Sequence, residues 1–251
     1  TQTENALNIA ASMPAGVQRN FGTMTKAFHA GKAARSGLTA TLLAEAGFRA
    51  HPAAIAGDVG FFEVYGGDAE PVITEHPPTI ADLALERYGI WVKKYPSCGA
   101  NHPVIAAAAK LHDEGEFSPE DIEAVHLTVS PQAAAIHPYD DPQTPDEAKY
   151  SLEYAAARTL THGEPGISDF ETDEIDDEST QFVRKRVSYE ADPEVEYNSL
   201  TASIVIRTTD GPTLEQYIDY PPGHPKNPLT ESEFRAKFID SATHAIDPEQ
   251  A

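Results

Sequence analysis

Two short stretches of the sequence place cationic, acid/base and nucleophilic side chains at predicted helix starts. The first reads FGTMTKAFHAGKAA and carries Thr23, Thr25, Lys26, His29 and Lys32. A helix N-terminus presents free backbone N–H groups and the positive end of the helix dipole, so carboxylates and phosphates bind there. With Lys26 as a cationic group, this stretch predicts a site for a substrate carboxylate. The alternative is a solvated lysine beside an ordinary N-terminal histidine.

The second stretch, KKYPSCGANH, joins a predicted strand, Ile90–Tyr95, to a predicted helix, Asn101–His112. The helix dipole disfavours imidazolium, so His102 in the first turn is predicted to be a neutral base near pH 7. Alternatively, His102 caps its own helix or packs on Tyr95. Cys98 is either a nucleophile, since thiolates are favoured near helix N-termini, or a small buried side chain.

Helical stretches surround a strand-rich region, and this order predicts how the chain is organised. Apolar periodicity, turn residues and caps predict a mostly buried Ala-rich helix over Ala30–Phe48, a strand over Ile122–Ser130, a helix over Pro145–His162, a hairpin of Leu200–Thr208 and Thr213–Tyr220, and a final helix opened by Thr230. Locally paired strands between helices predict two domains, the second inserted into the first. Residues 1–89 and 224–251 would form the helical domain, and residues 90–223 the α+β domain.

Composition excludes several classes of protein. The 251 residues include 40 Asp and Glu but only 18 Lys and Arg, a net charge of −22, which disfavours binding to nucleic acid or to an anionic membrane. The single cysteine excludes an internal disulfide, and the histidines show no paired metal-ligand spacing. No Gly-rich nucleotide loop follows a strand, so no cofactor is predicted. We expect a cytoplasmic protein that handles a small molecule, with a surface adapted to high salt or an ordinary acidic one.

The two stretches, followed by AKYSLEYAAARTLTHGE and PPGHPKNPLTESEFRAKF, resemble the MmgE/PrpD family in the family's order. That family includes 2-methylcitrate dehydratase, cis-aconitate decarboxylase and iminodisuccinate epimerase. The resemblance implies a mainly α fold with an inserted α+β lid domain. It also implies a homodimeric lyase of the 2-methylcitrate dehydratase type, in propionate metabolism, which acts on a small polycarboxylate by cofactor-independent proton transfer and elimination. Decarboxylation and epimerisation stay open as alternatives.

The resemblance also implies roles for individual residues. Lys26 matches a substrate-carboxylate contact, His102 an acid/base group from the lid, and Tyr154 a lid tyrosine that faces the cleft. These three are the catalytic candidates. The substrate-binding candidates are Thr23, Thr25, His29, Lys32, Cys98 and Asn101, and no metal ligand is expected.

Family members look longer than this chain, which is therefore expected to be their C-terminal portion. On this expectation an N-terminal helical half is missing, and it would complete the site from the same chain or from a separate one. The alternative function is a non-catalytic truncated paralogue, or a split-enzyme subunit, that binds a carboxylate or a partner chain.

Overall fold

The computed structural model describes residues 1–14, 16–66, 79, 83–247 and 250. The chain divides into two compact units, Thr1–Leu83 and Ala84–Ala251, called here the N-terminal and C-terminal units. The domain boundaries after residues 89 and 223 stay predictions. Among the helices that the structure describes, none is long and apolar enough to cross a membrane.

The described part of the N-terminal unit contains helices. They are α1 (Gln2–Ala10), α2 (Met24–Glu45) and α3 (Phe61–Tyr65). The sequence starts α2 at Thr23, because the side chain of that residue accepts a hydrogen bond from the backbone N–H of Thr25. A small apolar cluster around Ile9, Ala40 and Ala44 packs α1 against α2.

The Ala-rich helix predicted over Ala30–Phe48 is confirmed as a helix, but its predicted burial is wrong. Within α2 only Ala40 and Ala44 are buried, whereas Leu38 and Leu42 are more than half exposed. The physical reason is that, among the described residues of this unit, α1 makes the main helix contact with α2, and a single neighbouring helix covers only one stripe of a helix. The small side chains of α2 permit close packing, but burial of the helix also requires further elements to pack against it.

The C-terminal unit contains a mixed sheet with strand order β2-β1-β3-β4. Its strands are β1 (Ile122–Val129), β2 (Val187–Ala191), β3 (Ala202–Thr208) and β4 (Leu214–Ile218). The first strand and the β3–β4 hairpin are confirmed, and β3 pairs antiparallel with both β1 and β4. The strand β2, which pairs parallel with β1, was not predicted from the sequence.

The C-terminal unit also contains helices. They are α4 (Ala84–Tyr88), α5 (His102–Glu114), α6 (Pro131–Ile136), α7 (Pro145–Ala148), α8 (Leu152–His162), α9 (Thr172–Ile175), α10 (Glu178–Arg184) and α11 (Glu231–Thr243). The single helix predicted over Pro145–His162 is wrong in one respect: it is broken into α7 and α8. The break occurs because the side chain of Ser151 accepts a hydrogen bond from the N–H of Tyr154 and starts a new helix there.

The main core lies between the sheet and helices α5 and α8. Along α5, Val104, Ala107 and Ala108 are completely buried, so this helix is held firmly on the sheet. At about 25 cal/mol for each Å² of apolar surface, such burial is the main stabilising contribution to the unit. The first residue of α5 is His102, and the core therefore fixes the position of that residue's backbone.

The predicted strand over Ile90–Tyr95 is not a strand. Its residues have β-forming side chains, but they pair with no strand of the sheet. Instead the N–H of Val92 donates to the carbonyl of Gly223, at 3.0 Å. Gly223 has φ +89°, and a Cβ there would lie 1.8 Å from the Val92 carbonyl oxygen. This segment is thus held by a backbone contact with Gly223 rather than by pairing with a strand.

Candidate active site

His102 is a buried histidine at the start of α5. It has no exposed surface, and its imidazole lies between the rings of Trp91 and Tyr95, with centroid distances of 5.3 and 5.1 Å. Neither ring nitrogen has a hydrogen-bond partner among the described residues. An unpaired buried polar group costs on the order of 1–3 kcal/mol, so two such nitrogens on one ring are typical of a functional position rather than of a packing residue.

The protonation state of His102 follows from this environment. Burial lowers its pKa to about 3, and the positive charges of Lys93 and of Lys237 on α11 act in the same direction. The backbone of Tyr95 has the opposite effect on this pKa, although it forms no hydrogen bond of normal geometry to the ring. The prediction of a neutral His102 at pH 7 is confirmed. The main cause is burial rather than the helix dipole, on which the prediction was based.

Asn101 and Cys98 form the turn that leads into α5. The side-chain amide of Asn101 and the backbone N–H of Cys98 both donate to the carbonyl of Lys149, at 3.1 and 3.0 Å. Asn101 is completely buried, and its side-chain oxygen has no partner in the part of the chain that the structure describes. Cys98 packs against the main core. Asn101 therefore offers an unpaired acceptor next to His102 in the chain, and the predicted roles of Asn101 and Cys98 in binding substrate stay predictions.

Trp91 is a site residue that sequence reasoning missed. Its indole N–H is buried and without a partner among the described residues, and its ring lies on Gly99. A Cβ at Gly99 would come within 2.7 Å of the indole, so only glycine permits this contact. Trp91 is the sole tryptophan of the sequence and stands two positions before the KKYPSCGANH stretch, which was the available signal.

Tyr154 lies in the interior of the C-terminal unit. It has no exposed surface, and its ring packs with Phe170 and Ile175 in a separate small cluster. Its hydroxyl donates to the backbone carbonyl of Asp169. Burial raises the pKa of Tyr154. The structure thus places Tyr154 in a different cluster from Tyr95, and its catalytic role stays a prediction.

The candidates of the N-terminal unit lie around the start of α2. Thr23 and Thr25 are exposed and joined by the cap of this helix, and Lys26 is exposed with its Nζ 5.5 Å from the ring of Phe21. The predicted role of this helix start in binding a substrate carboxylate stays a prediction.

Two further candidates of this unit have local contacts. Lys32 donates to the carbonyl of Met13 and to the hydroxyl of Ser36, at 3.2 and 2.7 Å. The ring of His29 lies beside Gly16, where a Cβ would come within 3.2 Å of it. Lys32 therefore ties the segment before α2 to that helix, and its predicted role in binding substrate stays a prediction.

The described part of the chain contains no group of three or more His, Cys, Asp or Glu side chains arranged to hold a metal ion. The site that the structure does bring together is a local one in the C-terminal unit. It consists of Trp91, Tyr95, Asn101 and His102, with Lys93 and Lys237 as the nearby charges.

Comparison with known proteins identifies the family. The MmgE/PrpD C-terminal domain matches residues 95–251, and the MmgE/PrpD N-terminal domain matches residues 1–74. The chain therefore belongs to the MmgE/PrpD family, a two-domain family with helices and a small mixed sheet. The expectation that only the C-terminal portion is present, with the N-terminal half missing, is wrong, because the helices of the N-terminal unit match the N-terminal domain.

Three relatives carry the same name. The cis-aconitate decarboxylases of Mus musculus and Homo sapiens are 26% and 27% identical to this chain, over 98% of its length, and that of Aspergillus terreus is 28% identical over 97%. These matches cover 51%, 52% and 53% of the relatives. The chain thus spans about half the length of the curated relatives that it matches.

Proposed function

We propose that the protein is a lyase that acts on a small polycarboxylate and uses His102 to transfer a proton, without a cofactor. The observation that carries the proposal is the state of His102, a completely buried imidazole whose nitrogens have no partner among the described residues. Lys93 and Lys237 are near enough to lower its pKa, and the same positive charges attract the carboxylates of a substrate. The named activity of the relatives, decarboxylation of cis-aconitate, belongs to this class of reaction.

Decarboxylation is the first candidate reaction, because the relatives are named for it. In this reaction the bond between the carbon skeleton and one carboxylate breaks, and carbon dioxide leaves. The electron pair stays on the substrate until a carbon takes up a proton, which His102 must supply in its protonated form. A bound polycarboxylate raises the pKa of a nearby histidine, since its negative charge stabilises imidazolium. Substrate binding therefore prepares His102 to act as the acid.

Dehydration of a hydroxylated polycarboxylate such as 2-methylcitrate is the second candidate, and the neutral state of His102 favours it. A neutral imidazole takes the proton from the carbon next to a carboxylate, and the electron pair forms the carbon–carbon double bond. The hydroxyl leaves as water after it receives a proton from the imidazolium that has formed. Positive side chains stabilise the negative charge that develops on the carboxylate. Epimerisation would share the first step and return the proton to the opposite face.

The test compares the two substrates. The purified protein is incubated with cis-aconitate or with 2-methylcitrate, and carbon dioxide release and ultraviolet absorbance of the unsaturated product are followed. Decarboxylation predicts carbon dioxide from cis-aconitate, whereas dehydration predicts an absorbance rise from 2-methylcitrate without carbon dioxide. His102→Gln should lower kcat by about 100-fold or more, the usual contribution of a general acid or base.

His137→Gln is the matched control for His102→Gln. His137 is also buried, and its Nε2 has no partner among the described residues, but its ring lies beside Tyr150 rather than Trp91. This variant should lose stability and keep kcat. Equal loss of kcat in the two variants would remove His102 from the mechanism. Binding of both acids by calorimetry without turnover would favour the alternative, a non-catalytic carboxylate-binding protein.

The proposal includes three further properties: independence from metal ions and a cytoplasmic location, which the sequence predicts, and a homodimeric state, which the resemblance to the family implies. The reaction should survive treatment with a chelator, and loss of activity that zinc or iron restores would contradict the cofactor-independent mechanism. We also propose that the protein is cytoplasmic and that it acts as a homodimer. Light scattering of the purified protein tests the homodimer.

A further inference from the structure

Tyr95 connects the candidate site, through its hydroxyl group, to the carboxylate of Glu164. Tyr95 is 2% exposed, and its hydroxyl donates to Oε1 of Glu164 at 2.8 Å. Glu164 follows Gly163, the C-cap residue of α8. The same Oε1 also accepts a hydrogen bond from Nζ of Lys94 at 2.7 Å. One carboxylate oxygen thus holds two consecutive side chains of the segment that precedes α5.

Lys94 extends this connection to α11. Its Nζ lies 3.1 Å from Oε1 of Glu233, which belongs to the capping box at the start of that helix. Burial alone would lower the pKa of Lys94, but the hydrogen bonds and attraction of Glu164 and Glu233 outweigh it and raise the pKa. Lys94 therefore stays charged at neutral pH, and the Glu164 carboxylate keeps both of its donors.

The orientation of the His102 ring has to come from packing. A catalytic histidine is usually oriented by a hydrogen bond from its second nitrogen to a carboxylate or a carbonyl. Neither nitrogen of His102 makes such a bond to the described residues. The rings of Trp91 and Tyr95 are its aromatic neighbours, and the Tyr95 ring is itself packed against Ile105 and Ala155. The position of the imidazole therefore depends in part on that of the Tyr95 ring.

We propose that Glu164 is a positioning residue for His102: it holds the hydroxyl of Tyr95, and the ring of Tyr95 holds the imidazole in place. This inference rests on the proposed function, in which His102 transfers a proton. Glu164 does not touch the substrate in this proposal. Its contribution is the fixed geometry that proton transfer needs, because a displacement of about 1 Å can lower a rate by about 100-fold.

Three variants separate the hydrogen bond from the charge. Glu164→Ala and Tyr95→Phe remove the bond and should each lower kcat by about 10-fold, with a smaller change in KM. Glu164→Gln keeps an oxygen acceptor for the Tyr95 hydroxyl and should restore most of the activity. Tyr189→Phe is the matched control for the tyrosine, because the Tyr189 hydroxyl donates to the carbonyl of another buried histidine, His137, at 3.3 Å.

The pKa of His102, followed by NMR of labelled histidine, gives a readout that does not need activity. Looser packing admits water, which stabilises imidazolium, so Tyr95→Phe and Glu164→Ala should raise this pKa towards 6.5. The acid limb of the pH profile of kcat should then move to higher pH. The charges that face the ring, Lys93 and Lys237, are left unchanged in these variants.

The outcomes distinguish this inference from the proposed function. A wild-type protein without turnover, whose His102 pKa still rises in Tyr95→Phe, would overturn the function and support the positioning role. An unchanged kcat and an unchanged His102 pKa in Tyr95→Phe would overturn the positioning role. A Glu164→Gln variant as impaired as Glu164→Ala would also overturn it, since the negative charge rather than the hydrogen bond would then be needed. Tyr95→Phe, the smallest change, decides the question if Glu164→Ala fails to fold.

Discussion

The indole of Trp91 stands edge-on to the imidazole of His102, with 5.3 Å between the ring centroids and 75° between the planes. Both rings carry buried polar atoms without a partner among the described residues. An indole nitrogen can only donate a hydrogen bond, and a neutral imidazole can also accept a proton. The pair therefore offers, side by side, a hydrogen-bond donor for a substrate carboxylate and a group that can transfer a proton.

Gly99→Ala tests how far the site depends on this pair. A Cβ at Gly99 would lie 2.7 Å from the Trp91 ring, so the indole has to move away from His102. We expect a loss of about 1–3 kcal/mol in the free energy of unfolding, the usual effect of overpacking, together with a lower kcat. Urea unfolding and steady-state kinetics measure the two effects.

Gly31→Ala is the control for that substitution. Gly31 lies within α2, and a Cβ there would meet nothing within 4 Å. Alanine in a helix interior is more favourable than glycine by roughly 0.5–1 kcal/mol, so this variant should be slightly more stable. If Gly99→Ala were equally harmless, the contact of Trp91 with the turn would have no importance for the site.

Lys26 and Lys32 should respond differently to substitution by methionine, which keeps an unbranched side chain but removes the charge. Lys26 is the predicted substrate contact, and a hydrogen bond to a charged group contributes about 1.5–3 kcal/mol, so Lys26→Met should raise KM at least about 10-fold. Lys32 is held by Met13 and Ser36, and Lys32→Met should instead lower the free energy of unfolding by about 1 kcal/mol. The reverse pattern would show that the two lysines have exchanged roles.

Local signals in the sequence were sufficient for part of the fold and of the site. The hairpin was predictable because Asp210 and Gly211 separate two alternating runs that pair with each other. The start of α11 was predictable from the spacing of Thr230 and Glu233, which form the capping box. The neutral state of His102 followed from its place at a helix start, although burial turned out to be the stronger cause.

Features that depend on contacts between distant segments were not predictable. The strand β2 pairs in parallel with β1, and such a pair needs a long connection that no local pattern marks. Glu164 reaches Tyr95 from the end of α8, and nothing in the sequence near either residue shows that they meet. The segment Ile90–Tyr95 has the composition of a strand, but its backbone hydrogen bond goes to Gly223 rather than to a neighbouring strand.

The net charge of −22 predicts a strong effect of salt on stability. Like charges on a folded surface repel one another, and molar salt shortens the screening length to about 3 Å, which removes most of this repulsion. The Tm should therefore rise steeply from low to molar potassium chloride if the surface is adapted to high salt. Thermal melts monitored by circular dichroism measure it, and a Tm independent of chloride would contradict the adaptation.

Acid should destabilise the C-terminal unit through its two buried histidines. Burial lowers the pKa of His102 to about 3 and that of His137 to about 4, from 6.5 for a free histidine. Below the unfolded value of 6.5, the unfolded chain binds protons that the folded chain does not. The free energy of unfolding therefore falls as the pH falls, by roughly 1 kcal/mol per pH unit for each histidine, until the folded pKa is reached.

Urea unfolding between about pH 7 and about pH 4 measures this dependence. His102→Gln and His137→Gln should each make the free energy of unfolding less dependent on pH, because glutamine takes up no proton in either state. The double variant should lose both contributions, since the two histidines pack against different rings and titrate independently. If the wild-type protein and the double variant lost stability in parallel over this range, carboxylates rather than buried histidines would account for the acid sensitivity.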